Sequence, residues 1–322
     1  MIFTSCFAPF MEDLVAEKRK AGYGYGHAEW ILHKFDEFCV HRRIEEPVVT
    51  RELAQDWGTL REMESKVTLA ARISALRQLS MYMQSYGIQC YVPKKFSCKS
   101  GYIAYVMNPE EIKALFRAFD AAISSAKGRI SKRLAMKDSI LFRVIFCCGL
   151  RVSEARLLRL DTVDLDKGIL KLLQSKGAKD RLVYLPEDLR LLCLEYRNVM
   201  ISRYDIVSEW FFPASNPQNP LQVASLEKHF QEAWNRTPYA EFGSSHPTIH
   251  SLRHTFVVTR MNEWMRENRD LDSMMPYLSK YLGHTRVDDT FYYYHQVETA
   301  FDIVHRKDQS APFVIPEVED AF

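Results

Sequence analysis

The sequence predicts a mainly α protein in two parts, the first all-helical and the second α+β, mostly helical with a small antiparallel sheet. Three observations predict it. Apolar residues recur at helical spacing through the N-terminal part. A stretch with Pro, Gly and lysines but no helical period, "CYVPKKFSCKSGYIAYV", then divides the chain. Beyond it, two short β-branched and leucine-rich runs stand among helical patterns, separated by a glycine-bearing turn. At 322 residues there is room for two domains, read as 1-90, a linker at 91-106, and 107-322.

The elements follow in order. Ile31, Phe35 and Phe38 share a helical face in "HAEWILHKFDEFCVHRR", as do Leu69, Ile73, Leu76, Leu79 and Met83 in "TLAARISALRQLSMYMQSYG". Gly87 stops the latter helix as a C-terminal glycine would. After the linker, Asn108 can cap a helix, Pro109 suits its first position, and Glu111 completes a capping box. A buried helix around "DSILFRVIFCC" ends at Gly149. "ILKLLQ" and "RLVYLP", with "SKGAKD" between them, read as a hairpin with Gly177 in the turn. Helices resume from Glu187 to Tyr204, around "LEKHFQEAW", from His250 to Arg266, and from about Ser273 onward.

Composition narrows the class. Hydrophobic residues at 47% and charged residues at 26% describe an ordinary globular protein. The seven cysteines show no C-x-x-C spacing, which argues against a disulfide framework and a zinc ribbon and for a reducing, cytoplasmic setting. "MIFTSCFAPFMEDL" lacks the basic start of a secretory leader, and no run approaches the roughly 20 apolar residues of a membrane span. The formal charge of +2 says little, but its distribution says more. Between Glu64 and Glu110 there is no acidic residue, while Lys66, Arg72, Arg77, Lys94, Lys95 and Lys99 all fall in that window. "KGRISKR" forms a second basic cluster from Lys127 to Arg133. A single such run is usually a solvated face; two of them flanking a linker suggest a surface for nucleic acid.

Four separated pieces could carry chemistry. "CGLRVSEARLLRL" places Glu154 three residues after Arg151; Lys176 lies in the hairpin turn; "HSLRHTF" puts His250 and Arg253 on one helical face; "LGHTRVDDTFYYYHQ" holds His284 and three consecutive tyrosines. Each has a plain explanation: a local salt bridge, a solvated turn lysine, a capping histidine, aromatic packing. His250 and His254 have the i,i+4 spacing of zinc proteases, but the glutamate of that motif is missing and no metal site is expected. No cofactor is expected either.

Jointly the pieces resemble the tyrosine recombinases, the family of lambda-type integrases and Xer recombinases. The order Arg, Lys, His-x-x-Arg, Gly-His, Tyr runs through residues 108 to 296, and the N-terminal helices resemble that family's core-binding domain more loosely. Ser251 departs from the pattern, standing where an acidic residue is common, and the chain after Tyr294 has no counterpart that can be aligned. The chemistry fits the residue types. Two guanidiniums, Arg151 and Arg253, can clamp the non-bridging oxygens of a phosphodiester and stay charged at any working pH. A phenol needs a base, for which His250 is the candidate, and His284 can hydrogen-bond the phosphate. By resemblance, Lys176 is the general acid for the leaving 5′ oxygen, with Lys179 as rival, and Glu154 is an accessory positioning residue.

Successive helical residues point about 100° apart, so the three tyrosines cannot all face one phosphate. In the family the nucleophile lies nine residues after the Gly-His histidine, a count that lands on Tyr293, with His295 two further on and Tyr294 in reserve. The resemblance implies a metal- and ATP-independent site-specific recombinase or integrase of a mobile element, acting through a 3′-phosphotyrosyl intermediate. Its expected partner is double-stranded DNA, bound as a homotetramer on paired sites by a protein monomeric when free, with accessory DNA-bending proteins as further partners. A type IB topoisomerase and a non-catalytic DNA-binding protein are the alternatives, separated by strand exchange and by covalent adduct formation.

Overall fold

The N-terminal periodicities become helices α1 (Ala8–Lys20), α2 (Gly26–His41), α3 (Arg51–Trp57) and α4 (Lys66–Ser85). The computed structural model describes residues 2–98, 104–175, 179–241, 246–284 and 286–290. It divides into two units, Met1–Tyr102 and Ile103–Phe322.

In the first unit, Thr50 and Ser65 cap α3 and α4 by accepting from the amides of Leu53 and Thr68, both at 3.1 Å. Gly87, at φ +82°, lies just past α4, where the Ile88 amide returns to the Met83 carbonyl at 3.2 Å. The predicted apolar faces of α2 and α4 meet around Trp57, with Leu32, Phe35, Leu76, Leu79 and Met83 buried. Lys66, Lys94 and Lys95 are exposed. Arg77 is half-buried and donates to the Pro93 carbonyl at 2.7 Å. The expectation that Arg72 meets a phosphate is corrected: the residue is buried, stacks on the Trp57 ring, pairs with Glu64 at 3.3 Å, and donates to the carbonyls of Trp57 and Thr59. The reason is register, since Arg72 shares the inward face of α4 with Leu69 and Leu76. Lys99 lies outside the described residues.

The second unit opens with α5 (Pro109–Ser125) under the predicted capping box: Asn108 accepts from the Glu110 and Glu111 amides, and the Glu111 carboxylate accepts from the Asn108 amide at 2.7 Å. Helix α6 (Arg129–Cys148) ends at Gly149 in the left-handed region, followed by the short α7 (Val152–Arg156). Within the second basic cluster, Arg133 is buried and donates to the Ala214 and Ser215 carbonyls. Strands β1 (Val163–Asp164), β2 (Ile169–Ser175) and β3 (Lys179–Tyr184) form an antiparallel sheet in that order. The β2–β3 hairpin matches the sequence expectation; β1 adds an edge too short to leave a pattern. Helices α8 (Glu187–Ser202), α9 (Val223–Trp234), α10 (Ile249–Arg266) and α11 (Leu271–Leu282) complete the unit. α11 begins earlier than expected because Asp270 caps it.

The core of this unit runs from α5 and α6 to the sheet, α8 and α9, while Phe256, Val257, Met261, Met275, Leu278 and Leu282 pack α10 against α11. Burying these side chains is what fixes the ends of α6 and α11 near one another, with α10 beside both. Among the described residues, no helix is long and apolar enough to cross a membrane.

Candidate active site

The site is built on two helix ends of the same design. Helix α6 stops at Gly149 (φ +60°) and α11 at Gly283 (φ +66°), and each glycine lies shortly before a candidate side chain, Arg151 or His284. A Cβ at Gly149 would overlap the Phe256 ring; one at Gly283 would lie 2.8 Å from Arg181 Nη1. Only glycine satisfies both the backbone angle and the close approach.

Helix C-termini leave carbonyls without intrahelical partners and carry partial negative charge, so cations belong there. At the end of α11 three successive carbonyls accept from three different arginines. Tyr281 O accepts from Arg181 Nε at 2.8 Å, Leu282 O from Arg253 Nη2 at 2.7 Å, and Gly283 O from Arg151 Nη2 at 3.1 Å. Arg253, only 1% exposed, also donates through Nη1 to Gly149 O at 2.6 Å, joining the two helix ends.

One carboxylate lies among these cations. Glu154 Oε1 accepts from Arg151 Nη1 at 2.9 Å and Oε2 from the Arg151 amide at 2.8 Å. Arg181 grips both oxygens in a fork, each bond 2.8 Å. Arg253 Nη1 stands 3.9 Å from Oε2. Burial alone would raise the Glu154 pKa, but the hydrogen bonds from Arg181 and the Arg151 amide, with both guanidinium charges, hold it below the usual glutamate range. Three guanidiniums against one carboxylate leave a positive pocket.

The histidines respond to that charge. Desolvation and the charges of Arg253 and Arg151 lower the His250 pKa to about 4; because His250 is exposed, the two guanidiniums are the firmer cause. Its ring meets His254 edge-on, with centroids 4.4 Å apart, and burial with the charges of His250 and Arg253 brings His254 to about 3. His284, half-buried, is lowered to about 3 by burial, by Arg253, Arg151 and Arg181, and by His250. A guanidinium can only donate, so His284 Nε2, 3.0 Å from Arg253 Nη2, must accept. The neutral ring then carries its proton on Nδ1 and donates to Thr290 Oγ1 at 2.7 Å.

Arg151, Glu154, His250, Arg253 and His284 are thus brought together. Lys176 and Tyr293 lie outside the described residues, as do Tyr292, Tyr294 and His295; Lys179 is described in its backbone only. Sequence reasoning missed Arg181 and Thr290. Arg181 did leave a signal: it alternates with buried Val183 and Leu185 while Leu182 and Tyr184 face outward, so a cation occupies the inward face of the strand. Thr290 left none.

A cationic cradle with two neutral imidazoles beside it is suited to holding a phosphodiester and moving protons around it. Comparison with known proteins agrees with that class. The model of the phage integrase family matches residues 106–299, and the chain belongs to this family, the tyrosine recombinases. Over 296 residues it is 26% identical to y4rE of Sinorhizobium fredii, which carries the name integrase/recombinase, spanning 90% of this chain and 93% of the relative. It is 28% identical to the tyrosine recombinase XerC of Proteus mirabilis over 241 residues, 74% of this chain and 69% of the relative. In fold it is similar to XerH site-specific recombinase bound to palindromic difH substrate, with a TM-score of 0.64, 19% identity, and coverage of 88% of this chain and 79% of that chain.

Proposed function

We propose that the chain is a site-specific recombinase that cleaves and rejoins DNA through Tyr293, serving integration or excision of a mobile element. Arg151 and Arg253 hold the non-bridging oxygens of the scissile phosphate, where negative charge develops as the phenolic oxygen attacks phosphorus. His250, neutral at working pH, takes the phenolic proton. The P–O5′ bond breaks as the Oη–P bond forms, and Lys176 supplies the proton with which the 5′ oxygen leaves as a hydroxyl. The phosphotyrosyl ester conserves the bond, so the 5′-hydroxyl of a partner strand can reverse the step. His284 and Glu154 orient the guanidiniums.

The observation that supports this reading best is the pair Arg151 and Arg253, fixed on the carbonyls at the ends of α6 and α11 around one shared carboxylate, with neutral histidines beside them. The mobile-element role is supported by the integrase name of the relative that spans most of the chain. Lys66, Lys94 and Lys95 contact phosphates of double-stranded DNA, with Arg77 and Lys99 as further members of the same basic window; such contacts position rather than specify. Four protomers act on two paired sites, and DNA-bending proteins are accessory partners.

The test uses DNA ends recovered with the protein, rebuilt as a duplex nicked beside the cleavage point so that the cut strand is lost. Wild-type protein should accumulate a covalent adduct through the 3′-phosphate. Tyr293→Phe should form none and bind DNA as before, while Tyr294→Phe should still form it. An adduct that survives Tyr293→Phe and vanishes with Tyr294→Phe moves the nucleophile by one residue. Absence of any adduct from wild-type protein overturns the catalytic reading, and supercoil relaxation without exchange between two sites overturns the recombinase one.

A further inference from the structure

We infer that Arg181 is a positioning residue for strand cleavage, gripping Glu154 so that this carboxylate orients Arg151 without cancelling its charge. The inference rests on the reading of the site as a phosphodiester-cleaving centre. A carboxylate has about four lone-pair positions. In Glu154 two are taken by the Arg181 fork, one by Arg151 Nη1 and one by the Arg151 amide. Were Arg181 absent, only Arg151 and Arg253 would face the carboxylate, which would draw mainly on Arg151 and leave the cluster one net positive charge where it had two to meet the charge developing on a phosphate. With Arg181 present, Arg151 keeps its orientation and the cluster keeps its excess positive charge.

The bonding of Arg181 suits this role. All of its nitrogens are engaged: Nη1 and Nη2 with Glu154, Nε with Tyr281 O at 2.8 Å. It also packs against the Cα of Gly283, whose carbonyl accepts from Arg151 and whose neighbour is His284. The residue stands on β3, so one side chain ties that strand to the Arg151–Glu154 pair and to the end of α11. A buried fork of this kind is matched by arginine alone, since lysine offers a point charge without the planar geometry.

The experiment compares wild type, Arg181→Met, Glu154→Gln and the double variant in single-turnover adduct formation at saturating nicked duplex, with DNA affinity measured separately. Arg181→Met is expected to slow adduct formation by about 100-fold, the scale of a mispositioned reacting group, with affinity unchanged. The double variant is expected to be faster than Arg181→Met, because the uncompensated carboxylate has gone. A purely architectural arginine gives the opposite order, two losses that add. A wild-type rate in Arg181→Met, or a double variant slower than Arg181→Met, overturns the inference. Should Arg181→Met fail to fold, Arg181→Gln with and without Glu154→Gln is read the same way. If wild-type protein forms no adduct, the cleavage reading falls and this inference with it; if only the Arg181 comparison fails, the cleavage reading stands.

Discussion

Thr290 has no exposed surface, and its hydroxyl accepts the Nδ1 proton that the Arg253 contact fixes on His284. Thr290→Val keeps the shape and removes the acceptor, leaving the Nδ1–H without this partner. Cleavage should slow by about tenfold, the ~1.4 kcal/mol of one buried hydrogen bond, and Thr290→Ser should restore it. Nitrogen chemical shifts of the imidazole check the cause: wild type and Thr290→Ser should show protonated Nδ1, and a mixture of tautomers in wild type would contradict the assignment. At this scale the sequence was legible where residue type and spacing both constrain chemistry, as in Arg151, His250 and Arg253. It misled where charge was counted without register. Arg72 lies in the basic window, yet falls on the face of Leu69 and Leu76 and is buried against Trp57. Arg181 could have been found by the same alternation argument, whereas Thr290 becomes meaningful only once the chain brings it to His284. Lys176 and Tyr293 rest on resemblance.

At the scale of elements, the two glycine-ended helices carry the site. Gly283→Ala must adopt a left-handed angle and also displace the Arg181 guanidinium, 2.8 Å from the new Cβ. Gly87, at φ +82°, has nothing within 4 Å of a built Cβ, so Gly87→Ala meets only the backbone penalty of about 1–2 kcal/mol. Thermal unfolding should therefore show a modest drop for Gly87→Ala and a larger one for Gly283→Ala. Only Gly283→Ala should also lose adduct formation; equal cleavage in the two variants would detach the end of α11 from the chemistry. Most elements were legible because local signals agree, as with the Asn108 capping box and the antiparallel pair β2–β3. What escaped was set by tertiary contact: β1 exists by pairing with Ile169 and Leu170, and the arginines on the α11 carbonyls come from the residue before α7, from β3 and from α10.

Across the whole catalytic unit, the arrangement that suits phosphate works against the fold in acid. His250, His254 and His284 have native pKa values of about 4, 3 and 3, against an ordinary value of 6.5. Between those limits the unfolded chain holds protons that the native chain refuses, so stability rises with pH and is lost as pH falls from 6.5 toward 3–4. Glu154, held below the usual glutamate range, adds a loss of the same sign at the acidic end of that window. Above pH 6.5 these groups leave stability flat. The unfolding temperature should therefore decline on acidification from pH 6.5 to about 4.5, with proton uptake on unfolding. His254→Gln, which removes a histidine outside the proposed chemistry, should make the decline shallower. A constant unfolding temperature across that window would mean that the histidines are not shielded by the arginine cluster. The same cluster predicts the effect of substrate. A phosphodiester seated between Arg151 and Arg253 places negative charge beside His250 and His284, raising their pKa values toward the ordinary one and reducing the acid loss. Cognate duplex should thus bind more tightly, and protect the protein more, at pH 5 than at pH 7 when compared at equal free duplex concentration.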